Sequence, residues 1–184
     1  MIKTYFDGII YDFRSSYSSI ALCHELTHAI IENKITPGFN YNYNEFCSKF
    51  ADLFAAQEMD KKLENEHLIK IKLLHFNNVK SACIEYMRTQ LFIKNLSKPN
   101  STMSPIEQAF KYSYYNAYQY IIGTIFAHRL FEIYVQDEIS VLQDFRKVAT
   151  HEITIPELLS KYNISLRNFE TINNFQKTLT QITK

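Results

Sequence analysis

Apolar residues recur along this chain with helical spacing, and the apolar segments are separated by polar or proline-bearing stretches that mark element ends. The apolar runs Ser19-Ile20-Ala21-Leu22-Cys23 and Ala29-Ile30-Ile31 predict a first helix over about 16–34. Lys34-Ile35-Thr36-Pro37-Gly38-Phe39-Asn40 reads as a stop and turn, because its Pro-Gly pair interrupts a helix. The chain reverses there, and a second helix is expected from about 43 into Asp60-Lys61-Lys62-Leu63-Glu64. On it Phe46, Phe50, Leu53 and Phe54 make an apolar stripe, beside a polar one of Glu45, Ser48 and Asp52. A third helix, about 66–96, carries its apolar stripe at Leu68, Ile71, Val79, Ala82 and Tyr86.

Ser97-Lys98-Pro99-Asn100-Ser101-Thr102 reads as a loop, and Ser104-Pro105-Ile106-Glu107 as a capping box with proline at the first helical position. A long tyrosine-bearing helix should follow. Shorter helices are expected after about 138, the clearest beginning at Thr154-Ile155-Pro156-Glu157 and near Ser165. Ahead of all of these, residues 1–14 alternate weakly around Asp7-Gly8, which fits a short hairpin. No repeat, low-complexity segment or linker interrupts the pattern. The expectation is one all-α domain over residues 1–184 with a short N-terminal β-hairpin.

Charge narrows the partners. Twenty basic residues against 19 acids give a net charge of +1, which argues against a nucleic-acid footprint or a polybasic membrane patch. No apolar run approaches the roughly 18 residues of a membrane span, and the N-terminus lacks the pattern of a signal peptide. Cytosol is the expected location. Three cysteines, an odd number, do not make a disulfide framework. Cys23 and Cys47 flank the candidate site described next, but helix geometry turns them away from it, and both read as small buried hydrophobes.

The candidate chemistry lies in His24-Glu25-Leu26-Thr27-His28. With about 3.6 residues per turn, positions 24 and 28 share a helix face, so both imidazoles can reach one metal ion while Glu25 points to the side. Zinc in a peptidase needs a third protein ligand and a position left for water. After the chain reversal, Glu45 supplies that carboxylate, and Asp52 becomes a candidate acceptor for the other N–H of a ligand histidine. His67, His75, His128 and His151 lack ligand spacing to one another and read as surface or core residues.

The pairing of His24-Glu25-Leu26-Thr27-His28-Ala29 with Glu45-Phe46-Cys47-Ser48 and an acid at 52 resembles the oligoendopeptidase F and thimet oligopeptidase family. Its pattern is HExGHA followed by E-x-x-S-x-x-x-E. Tyr114-Tyr115-Asn116-Ala117-Tyr118-Gln119-Tyr120-Ile121-Ile122-Gly123 is similar to that family's tyrosine-rich segment. The resemblance spans nearly the whole chain, but only the C-terminal catalytic part of the family's longer architecture. Thr27 stands where the family has glycine, Ile31 where a histidine often follows, and Phe110 near a position commonly histidine. The resemblance implies one zinc ion on His24, His28 and Glu45, with Glu25 as general base toward a metal-activated water. It also implies Tyr115 and Tyr118 as donors to the oxyanion, and short peptides as substrates. Covering only that catalytic part, the resemblance leaves four alternatives open: an open-sited compact peptidase, larger or different substrates, a homo-oligomer or partner subunit that completes the cleft, or lost turnover. A zinc-binding module without turnover is the alternative class, and a non-peptidase hydrolase built on the same zinc constellation is a third.

Overall fold

The computed structural model describes residues 3–6, 9–12, 18–32, 43–63, 66–95 and 105–182. Strands β1 (Lys3–Phe6) and β2 (Ile9–Asp12) pair antiparallel, with Lys3 opposite Asp12 and Phe6 opposite Ile9. The helices are α1 (Ser18–Glu32), α2 (Asn44–Leu63), α3 (His67–Asn95), α4 (Pro105–Gln136), α5 (Glu138–Ala149), α6 (Ile155–Lys161) and α7 (Phe169–Ile182). The fold is all-α apart from that hairpin. The turn at 34–40, the loop at 97–102 and the capping residue Ser104 lie outside the described residues. Among the described residues no helix is long and apolar enough to cross a membrane.

Helix ends follow local chemistry. At α6 the Thr154 hydroxyl accepts the Glu157 N–H and the Glu157 carboxylate accepts the Thr154 N–H, with Pro156 in the first turn, as the sequence predicts. Asp137 caps α5 by accepting the Ser140 N–H.

Helix α2 is the centre of the packing: α1, α3 and α4 all lie against it, and α4 also packs on α3, α5 and α7. Its apolar stripe of Phe46, Phe50 and Leu53 enters a core with Leu130, Tyr134 and Leu158. Phe50 and Phe54 each meet the buried Tyr134 ring edge-on. Because α2 is enclosed on several sides, its polar stripe is largely shielded from water, and Glu45, Ser48, Lys49 and Asp52 are buried as well. A row of buried polar groups costs stability unless each has a partner. Their partners make the site.

One close approach fixes where that row sits. A Cβ added at Gly123 of α4 would lie 2.8 Å from the Glu45 Cβ and from the Phe46 backbone nitrogen. Helix propensity favours alanine over glycine by about 1 kcal/mol, whereas an overlap with backbone costs about 1–3 kcal/mol. Gly123→Ala is therefore expected to lower the urea midpoint. An unchanged midpoint would show that α2 and α4 part without cost.

Candidate metal centre

On α1 the inward face is the series Ile20, His24, His28 and Ile31, at helical spacing. The two isoleucines are buried and seat the helix. The histidines between them are thereby held toward α2, with their Nε2 atoms 3.2 Å apart. Glu45, at the start of α2, completes the group: its Oε1 lies 3.7 Å from His28 Nε2 and its Oε2 3.9 Å from His24 Nε2. One ligand atom from each residue falls within 4.8 Å of the others.

Three features of this chain fit a cation there. A tetrahedral ion with bonds of about 2.0–2.1 Å sets its ligand atoms roughly 3.3 Å apart, close to the nitrogen spacing and a little shorter than the spacing to the carboxylate. Glu45 Oε2 is buried with no hydrogen-bond partner among the described residues, an orphaned acceptor that metal coordination would satisfy. Finally, among the described residues Glu45 and Asp52 share one nearby ammonium, Lys49 Nζ, at 3.9 and 3.7 Å. With neutral imidazoles the cluster carries one uncompensated negative charge, which a divalent ion would offset.

Asp52 does what the sequence leads one to expect of it. Its Oδ2 accepts from His24 Nδ1 at 3.0 Å, leaving the Nε2 lone pair for a metal. Burial works against its ionisation, but the bonds from His24 and His75 hold the carboxyl down to about 2. The same Oδ2 takes a second bond from His75 Nε2 at 2.9 Å, and His75 Nδ1 lies 3.2 Å from His128 Nε2. His75 and His128 are both buried. Burial pushes both imidazoles below their ordinary range, with the Lys49 charge adding to it, and His75 and Lys72 further lower His128.

A pH dependence follows. The ordinary histidine value is 6.5, and both folded-state values lie below it. The unfolded chain therefore takes up protons first, so the stability contributed by these groups is complete above pH 6.5 and lost as pH falls below it. Each can remove up to about 1.4 kcal/mol per pH unit. Asp52 extends the loss from its ordinary 3.8 toward about 2. Chelator-treated protein is expected to melt progressively earlier between pH 6.5 and 5, and a flat profile over that range would contradict the burial of the pair.

Glu25 is exposed on the face of α1 next to the one that carries His24 and His28. Thr27, at the position where the resembled family has glycine, turns its hydroxyl to the Cys23 carbonyl at 2.7 Å. Cys23 is exposed, which corrects its reading as a buried hydrophobe: on α1 position 23 falls outside the seated stripe. Cys47 is buried, and burial pushes its thiol far up.

The tyrosines divide by helix face. The Tyr115 side chain lies outside the described residues. Tyr118 shares a stripe with Ile122 and Phe126 and lines a cavity of about 670 Å³ together with Tyr43, Leu159 and Arg167. Tyr120, two residues on and therefore on another face, has its phenol beside Glu45. Burial, then the Glu45 charge and a hydrogen bond to Glu45, push its phenol up to about 12, with Glu25 adding to the effect, so the O–H stays protonated. The Lys49 ammonium sits 5.6 Å from its ring centroid. Sequence reasoning did not single out Tyr120, Lys49, His75 or His128. For His75 a signal existed: it occupies the vacant place in the α3 stripe between Ile71 and Val79.

No protein-family model, no curated protein and no solved structure matches this chain.

Proposed function

We propose that this chain is a zinc-dependent metallopeptidase acting on short peptides, with His24, His28 and Glu45 as the metal ligands. The reading rests on one observation above all: two imidazole nitrogens and a buried, unpartnered carboxylate oxygen converge, with the acid of the same H-E-x-x-H segment beside them. A zinc ion held there supplies Lewis acidity, which lowers the pKa of water toward neutrality and polarises the peptide carbonyl. The remaining work belongs to the chain. Glu25 takes the proton released as water attacks and passes it to the leaving amine. Tyr120, kept neutral, donates its O–H to the oxyanion that develops on the carbonyl, the role assigned on motif grounds to Tyr115 and Tyr118. Asp52 holds His24 in the tautomer that leaves Nε2 free.

The test is metal-dependent cleavage. Protein stripped by a chelator and reloaded with one equivalent of zinc is incubated with a mixed peptide library, and the products are read by mass spectrometry. Cleavage that vanishes on stripping and returns on reloading is the expected result. Stoichiometric zinc binding without such cleavage would make the chain a metal-binding module, and failure to bind zinc removes the reading altogether.

A further inference from the structure

We infer that His75 is a positioning residue for the metal centre, acting through Asp52 on His24 from the third helix, with His128 of the fourth holding His75 in the required tautomer. The inference rests on the reading of His24, His28 and Glu45 as ligands.

Hydrogen-bond directions along this chain are set by a single acceptor. An ionised carboxylate only accepts, so both imidazole atoms on Asp52 Oδ2 must be donors: His24 Nδ1–H at 3.0 Å and His75 Nε2–H at 2.9 Å. A neutral imidazole carries one proton. His24 then has a bare Nε2, facing Glu45 and His28, and His75 has a bare Nδ1. The bare His75 Nδ1 is met at 3.2 Å by His128 Nε2, which must therefore carry the proton and donate. Every N–H in the series points toward Asp52, and the series links α1, α2, α3 and α4.

Burial makes the directions binding. His75 is 0% exposed and His128 3%, so neither can exchange a protein partner for water without moving the helices. Protonating His75 would place a cation near Lys49, and protonating His128 one near Lys72 and Lys49, whose charges already disfavour it. Asp52 carries two donors on one oxygen, and removing the His75 bond leaves its carboxylate free to swing toward Lys49 Nζ, now 3.7 Å away. His24 would lose its fixed orientation as a consequence. A group bonded directly to a metal ligand, as Asp52 is to His24, typically changes affinity by about 10–100-fold, and His75, one bond further out, is expected to act at the lower end of that range.

The experiment compares His75→Leu, which has no donor, with His75→Gln, whose amide N–H can reach the place of Nε2–H. Cobalt affinity is measured by chelator competition and by the visible absorption of bound Co²⁺, alongside urea unfolding of each metal-free protein. The expected result is cobalt binding weakened about 10-fold in His75→Leu, the lower end of the range for groups bonded directly to a ligand, and restored within a few-fold in His75→Gln. A folded His75→Leu that binds cobalt like the wild type overturns the inference while leaving the ligand reading intact. A wild type that binds no cobalt sinks both.

Long-range proton–nitrogen spectra of the metal-free wild type supply a second measurement that needs no variant to fold. They should show His24 protonated on Nδ1 and His75 and His128 on Nε2. The opposite tautomer at His75 overturns the inference.

Discussion

Glu25→Gln is expected to keep one zinc per chain and to lose peptide hydrolysis by about 10²–10⁴-fold, the range that general-base assistance contributes. The substitution preserves size and nearly all helix propensity, so α1 should still seat its histidines. Glu25 is exposed and is absent from the atoms that converge on the ion position, so zinc content should not change. What disappears is a base beside the attacking water. The measurement is kcat/KM on the best-cleaved library peptide, paired with zinc stoichiometry on the same sample. Turnover at the wild-type level would remove Glu25 from the mechanism, and loss of zinc would make it a ligand instead.

That Glu25 stands apart from the face of His24 and His28 was legible in the sequence because it depends only on the geometry of one helix. His24 and His28 are four apart, and a helix over 18–32 places them together whatever surrounds it. Glu45 and Asp52 were legible one step further out. In the sequence the Pro-Gly pair at 37–38 predicts a return, and the polar stripe on the following helix offers carboxylates at the right end. The deeper part of the site was not legible in the same way. His75 bonds Asp52 from 23 residues away and His128 from 53 residues beyond that, separations at which hydrophobic period carries no pairing information. A histidine on an apolar stripe says only that a polar group enters the core. Which group meets it depends on how the third and fourth helices rotate on α2. The tyrosines show the limit of local pattern most directly, since a shift of two positions on α4 separates the cavity-lining Tyr118 from Tyr120 beside Glu45. No spacing rule distinguishes them without the partner helix.

The buried polar row also predicts how stability and metal binding come apart. Asp52→Leu removes the acceptor for two imidazole N–H groups and leaves Lys49, itself 4% exposed, with less counter-charge. Breaking a buried pair from one side costs about 3–5 kcal/mol, because the abandoned charge keeps its desolvation penalty. Urea unfolding of the metal-free variant should register a loss of that size. Adding Lys49→Met removes the stranded ammonium, and exchanging both members of a buried pair for apolar groups of similar volume is often close to neutral. The double variant should therefore regain part of the lost stability, offset by Glu45, whose Oε2 lies 3.9 Å from the same ammonium and loses it as a counter-charge. Its zinc affinity should stay low, because His24 Nδ1 still lacks the acceptor that fixes the ring. Recovery of both properties together would mean that Asp52 serves the fold and not the ligand. Recovery of neither would place the cost in the unpaired imidazoles rather than in the stranded lysine.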